Sequence, residues 1–221
     1  MGKFYTLNIP TWINGINTTI DVGDDIKHMV FDNGLPRNRL YDIIANSNLD
    51  NVVLQVITDD FVECKRKLEA QFNSRLGVYE VHDVTSATNV IKEMVSKIEK
   101  RYKLFNDINV KDIEAYNSCY GKSAQMKPVI ICWIGADKFL SRVSKEESLN
   151  LFSEILKKGR TTGVSLMLHS DDFYGIKRVA SKDLYYNLAC IGVATANEYP
   201  KEIDITVYDR VYNMSIRPRI M

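Results

Sequence analysis

The sequence predicts an α/β protein built on a mainly parallel sheet with helices on both faces. Three observations carry this reading. Val129 to Ile134 is an unbroken apolar run between Pro128 and Gly135, the pattern of a strand buried on both sides. Asn51 to Thr58 (NVVLQVIT) and Val164 to Leu168 are further runs of the same kind. Between them lie amphipathic helical segments, best seen where Ile91, Met94, Val95, Ile98, Tyr102 and Phe105 recur at steps of three and four. Buried strands alternating with amphipathic helices make a parallel sheet covered on both faces.

In chain order, Phe4–Ile9 and Thr18–Val22 flank the turn signal Asn14-Gly15 and predict a hairpin. His28–Phe31 is a compact buried strand, followed by Asp32-Asn33-Gly34 and a first helix from Leu35 to Asn46. The Asn51–Thr58 strand leads to a helix over Asp60–Asn73 and a strand over Gly77–His82. Asp83 or Thr85 can cap the long helix that ends at Phe105. Its opposite face carries Lys92, Glu93, Lys97, Glu99, Lys100 and Arg101, the composition of a solvated surface. A compact helix-turn segment (106–117) and a polar connection (119–127) lead into the central strand. The next helix starts at an S-x-x-E capping box, Ser144 and Glu147, and Gly159 has the character of its terminating residue. The chain closes with a helix-to-strand passage (184–194) and a pair of short strands (203–218).

Composition narrows the function. The 29 basic and 28 acidic residues nearly cancel, so no overall field draws the chain to nucleic acid or an acidic membrane. A local patch such as Lys65, Arg66, Lys67 and Arg75 leaves DNA open as a partner, and a nucleic-acid module is one reading. Four scattered cysteines without a CxxC pair argue against zinc and disulfides and for reduced thiols. No apolar run is long enough to span a membrane, and no signal-peptide core is present. The start MGKFYT fits the N-myristoylation pattern, which is too short to carry weight. The 221 residues predict one domain: a hairpin over 1–23, a core over 24–204 and closing strands over 205–221.

Ligands of such sheets lie at the carboxyl ends of the strands, so the expected floor is Asp32–Arg39, Thr58–Asp60, Gly135–Asp137 and His169–Asp172. A strand, a turn containing glycine and a helix form the frame of a phosphate-cradling loop. Here the turn is DNGLPRNR, without the GxxxxGK[ST] pattern and without its lysine. Arg37 and Arg39 can replace lysine as phosphate partners. Asp137 is a candidate for a shifted magnesium carboxylate. His169, Asp171 and Asp172 form either an acid-base or metal group or a solvated turn, and the turn is the more economical reading. Trp12, Trp133 and the tyrosines are expected in core and interface positions.

Several segments resemble the FtsK/SpoIIIE family of RecA-like translocation ATPases. KIEKRYKLFNDINVKDIEAYN (97–117) is similar to the family stretch ExERRYxLfxxxgVRnixxYN, and KGRTTGVSLML (158–168) to KGRAAGIHLIL, which follows the family's Walker B strand. Pro128–Ile134 stands where that strand belongs, and His28–Phe31 matches the strand before the Walker A loop. The resemblance implies a P-loop NTPase fold of the RecA-like type, a three-layer αβα sandwich. It places a vestigial nucleotide loop at Gly34, Arg37, Asn38 and Arg39. The Walker B positions fall on Gly135 and Ala136 instead of Asp and Glu, and Arg160 falls where a subunit can face its neighbour's nucleotide. Every position that would touch phosphate, magnesium or attacking water is altered, so the expectation is a degenerate domain with no catalytic residues, no metal and weak ATP–magnesium binding at most.

Such degenerate domains resemble the last cytosolic domain of type VIIb secretion coupling ATPases, whose chains end on a strand pair similar to TVYDRVYNMSIRPRIM. The resemblance then implies neighbouring FtsK-like ATPase domains and secreted proteins as partners, in the cytoplasm or as the cytosolic part of a membrane-anchored complex. An inactive or divergent subunit of a DNA translocase or conjugation ATPase is the alternative.

Overall fold

The computed structural model describes residues 5–10, 17–22, 28–32, 35–172, 175–196, 199–208 and 213–216. β1 (Tyr5–Pro10) and β2 (Asn17–Val22) form a two-stranded antiparallel sheet of their own, in register from Tyr5 opposite Val22 to Pro10 opposite Asn17. The predicted hairpin is therefore present, while its turn at Asn14-Gly15, like Trp12, lies outside the described residues. Tyr5 and Leu7 are buried in the core beside the first helix, and the Asn8 amide donates to Ser47 Oγ at 2.9 Å.

The main body alternates strand and helix: β3 (Met29–Asp32), α1 (Arg37–Ala45), β4 (Val53–Thr58), α2 (Phe61–Phe72), β5 (Leu76–Glu80) and α3 (Val84–Asp107). It continues through α4 (Ile113–Cys119), β6 (Val129–Trp133), α5 (Ala136–Leu140), α6 (Lys145–Thr162) and β7 (Val164–His169). α7 (Gly175–Val179), α8 (Lys182–Tyr186), β8 (Ala189–Ala196), β9 (Tyr199–Tyr208) and β10 (Asn213–Ile216) complete it. The eight strands lie in the order β10-β9-β8-β3-β7-β6-β4-β5. From β8 to β5 every pairing is parallel, and β9 and β10 add an antiparallel margin.

Because side chains alternate along each strand, the sheet sorts its residues into two cores. Met29, Phe31, Leu54, Val56, Ile130, Cys132 and Met167 join α1, α2 and the hairpin on one face. Val30, Ile57, Ile131, Trp133, Leu166 and Leu168 meet α3, α5, α6 and the short helices α7 and α8 on the other. This is the three-layer αβα arrangement, and it explains why these strands are apolar throughout rather than alternating. Cys64 and Cys132 are buried, Cys119 is exposed, and all three are free thiols.

Both predicted helix starts hold: Asp83 accepts from the Ser86 amide at 2.7 Å, and Ser144 and Glu147 form a reciprocal capping box. The end of α6 differs from expectation. Gly159 is inside the helix, which runs on to Thr162 and stops at Gly163, where φ is 70°. Gly159 answers to packing instead: a Cβ there would lie 2.5 Å from the Val164 carbonyl oxygen and 2.9 Å from His28 Cε1. The charged face of α3 also differs at one position. Arg101 is half-buried and donates to the carbonyls of Thr162 (2.9 Å), at the end of α6, and Lys127 (3.1 Å), ahead of β6, tying α3 to the segments that enter β7 and β6.

Candidate functional site

The strand order sets the site. From β3 the chain passes over β7 and β6 to reach β4, and only later does β7 insert beside β3, so the direction of winding reverses at their carboxyl ends. That reversal opens a crevice in which ligands of such sheets bind. All four segments predicted to form its floor meet there, joined by direct contacts.

Arg37, the first residue of α1, reaches across this crevice. Its Nε donates to Asp171 Oδ1 at 2.8 Å and its Nη2 to Asp171 Oδ2 at 2.5 Å, the two-pronged geometry of a guanidinium on a carboxylate. The same guanidinium is hydrogen-bonded to Asp59, beyond the end of β4. Lys138 Nζ stands 3.3 Å from Asp59 Oδ2 and 3.3 Å from Asp171 Oδ2. Two cations and two carboxylates thus form one neutral cluster above β4, β6 and β7. Its floor is Gly135, with φ of 69°, where a Cβ would stand 2.9 Å from Arg37 Nη2. Burial alone would raise the Asp171 and Asp59 carboxyls, but hydrogen bonds and charge from Arg37 outweigh it and hold both below the usual carboxylate range. The hydrogen bonds that Arg37 donates to Asp171 in turn raise the pKa of the guanidinium.

Beneath the cluster, His169 at the end of β7 is fully buried rather than part of a solvated turn. The Gly135 amide donates to its Nδ1 at 3.4 Å, so the ring proton sits on Nε2, which donates to the Leu35 carbonyl at 2.5 Å. Burial lowers its pKa and keeps it neutral. One imidazole therefore ties the segment leaving β3 to the segment leaving β6. Ser170 is buried as well, and only Asp172 fits the expected solvated turn, 64% exposed and 3.4 Å from Arg178. Asp32, buried at the end of β3, accepts from the amides of Ile176 (3.2 Å) and Lys177 (3.0 Å) and so anchors the start of α7.

The other sequence-predicted positions are spread more widely. Asn38 and Arg39 are exposed on the first turn of α1, away from the cluster that holds Arg37, and Gly34 lies outside the described residues. Gly135 and Ala136 open α5, with Ala136 fully buried. Arg160 occupies the last turn of α6, a favourable end for a cation. Asp137 is 5% exposed, its Oδ1 has no hydrogen-bond partner, and burial, reinforced by Asp171 and Asp172, raises its pKa. Among the described residues no three His, Cys, Asp or Glu side chains are grouped as a metal ion would require. The candidate DNA cations are engaged within the chain: Lys65 with Glu69, Arg66 with Glu63, Lys67 with Asp42, and Arg75 with the carbonyls of Leu49, Val52 and Gln71. Sequence reasoning missed Lys138 and the pairing of Arg37. A signal existed: cations and aspartates follow successive strand ends, and neighbouring strand ends must face one another.

A family model for the FtsK/SpoIIIE family matches residues 70–196. No curated protein sequence matches the chain. Among solved structures, the fold is similar to EssC (ATPases 2 and 3) from Geobacillus thermodenitrificans, with a TM-score of 0.63, 11% identity, and 93% of this chain and 42% of that chain covered. It is similar to Thermomonospora curvata EccC (ATPases 2 and 3) in complex with a signal sequence peptide: TM-score 0.63, 11% identity, 90% and 38% covered. The pCW3 conjugation coupling protein TcpA, in a monomer form with ATPγS, gives a TM-score of 0.59 at 15% identity, covering 89% and 56%. The chain thus spans little more than half the length of TcpA, and less than half that of the other two. With a mainly parallel, three-layer P-loop ATPase fold and a family match over more than half its length, the chain belongs to the FtsK/SpoIIIE family.

Proposed function

We propose that this domain is a non-catalytic FtsK/SpoIIIE module that works by packing against active ATPase domains and recognising partner segments in a cytoplasmic protein-secretion machine. The observation that supports this most is the Arg37–Asp171–Asp59–Lys138 cluster lying in the crevice where a ligand of this fold would sit. Phosphoryl transfer needs a cation on the phosphates, a carboxylate on magnesium and a group that orients water. Arg37 and Lys138 are already neutralised by aspartates, and Gly135 and Ala136 carry no functional group at the end of β6. Losing one preorganised electrostatic element commonly costs roughly 3–4 kcal/mol of transition-state stabilisation, so losing several leaves turnover near the uncatalysed rate.

The likeness to the EssC and EccC domains supports the secretion context, and the peptide in the EccC complex supports partner recognition. A steady-state assay of ATP hydrolysis by the purified domain tests the reading. The expected result is no turnover above background, unchanged in Arg37→Ala. Turnover that disappears in Arg37→Ala would reverse it. A second reading, a conjugation or DNA-translocation subunit with residual ATP binding at Arg37, Asn38 and Arg39, is favoured by the TcpA likeness and its nucleotide analogue.

A further inference from the structure

The start of α7 is packed against three aspartates from three different strand ends. Asp32, ending β3, accepts from the amides of Ile176 and Lys177, and the Asp172 carbonyl, beyond β7, accepts from the Gly175 amide at 3.1 Å. Asp137, in the first turn of α5, is the third. Gly175 shows how closely they meet. A Cβ there would lie 3.1 Å from Asp137 Cβ, 3.1 Å from Asp172 Cβ and 2.1 Å from Ser170 Oγ. The next residue, Ile176, is fully buried in the core that holds Trp133, Ala136 and Phe139, so this seat has no slack.

The carboxyl groups here are not equivalent. Asp32 is held by amides, Asp171 by Arg37 and Lys138, and exposed Asp172 stands 3.4 Å from Arg178. Asp137 is 5% exposed, and its Oδ1 has no hydrogen-bond partner. No cation is left to compensate it: Arg37 and Lys138 are committed to Asp59 and Asp171, and Lys177 and Arg178 are exposed on α7. His169, buried and neutral, brings no charge. Among the described residues Asp137 joins no group of the kind that holds a metal ion. A neutral carboxyl can be buried in this way, whereas the ionised form would be an uncompensated charge beside Asp171 and Asp172. Burial, and then those two aspartates, make the group keep its proton to higher pH than an ordinary aspartate.

We propose that Asp137 is a proton-controlled latch for α7: protonated, it lets Gly175 and Ile176 seat against α5, and ionised, it drives them off. Release carries Ile176 out of the core at the carboxyl end of β6 and loosens the wall of the crevice next to β3. The latch is independent of whether the domain hydrolyses ATP or meets a partner.

The direction follows from linkage. The pKa with α7 seated lies above the open-state value of about 3.9, so the seated form is favoured at low pH and lost as pH rises through the seated-state pKa. Between the two values one proton increases opening by up to about tenfold per pH unit. Asp171 and His169 run the other way, because their folded-state pKa values are lowered and rising pH strengthens what they hold.

The test is amide hydrogen exchange of the ¹⁵N,¹³C-labelled chain from pH 4 to 7, expressed as protection factors, with the Asp137 carboxyl carbon titrated in the same samples. Protection of Ile176, Lys177 and Ala180 should fall with rising pH and level off at the midpoint of the Asp137 carboxyl, while Cys132 and Met167 in the central strands show no such fall. Asp137→Asn should remove the fall whatever its effect on overall stability. Asp172→Asn should keep it and move its end to lower pH. The proposal is overturned if protection of α7 does not fall with pH, if the fall survives in Asp137→Asn, or if its end does not coincide with the Asp137 midpoint.

Discussion

Replacing Arg37 by methionine keeps an unbranched chain and removes the guanidinium that closes the crevice. The expected cost follows from its surroundings. An exposed ion pair contributes about 0–1 kcal/mol, and breaking a fully buried one costs about 3–5 kcal/mol. The Arg37 side chain is 20% exposed and that of Asp171 28%, and the pair is two-pronged, which places it between these limits. Asp59, at 41% exposure, adds little. Arg37→Met should therefore destabilise the domain by about 1–2 kcal/mol, with Asp171 left to Lys138 alone. Urea unfolding of Arg37→Met, Asp171→Asn and the double variant should give a coupling energy of about 1 kcal/mol or more.

The pH dependence supplies a second handle on the same pair. The folded Asp171 pKa lies below the unfolded value of about 3.9, so its contribution is complete above that pH and is lost as pH falls through the folded-state pKa. Asp171→Asn should flatten the acid limb of the stability profile in that window. Additive single effects, with an unchanged acid limb, would show that the cluster does not hold the strand ends together.

Other outcomes test the remaining structure. Gly159→Ala should lower stability by about 1–3 kcal/mol in thermal or urea unfolding, because the new methyl group meets the Val164 carbonyl at 2.5 Å. Asp83→Ala should cost about 1 kcal/mol through the lost cap of α3, with Asp83→Ser recovering most of it. His169 has a folded pKa below its unfolded value of about 6.5, so its contribution is whole above that pH and declines as pH falls below it. His169→Gln should lower stability at pH 7.5 and weaken that decline, as followed by unfolding at each pH.

The frame was legible because the strands are buried on both sides: apolar runs such as Val129–Ile134 signal a central strand without help from context. The capping boxes at Asp83 and Ser144 were legible for a similar reason, since their chemistry is local. Gly159 misled because a glycine near a helix end can serve either termination or close packing, and only the distance to Val164 decides. The helices α5 and α7, five residues each, are too short to display a period. The four floor segments of the crevice followed from topology, yet the role of Arg37 did not. Its partners are 22 and 134 positions away in sequence, and which of them it meets depends on strand order. His169 was placed in a polar turn from its neighbours Ser170, Asp171 and Asp172. Its burial reflects carbonyl and amide partners from two other loops, which no local pattern encodes.

Isothermal titration calorimetry of the purified domain with ATP and magnesium tests the central claim most directly. With Arg37 and Lys138 committed to Asp59 and Asp171, the titration should show no saturable binding. Saturable binding of ATP that is lost in Arg37→Ala would mean that the cluster opens to receive a nucleotide, and the account would fail.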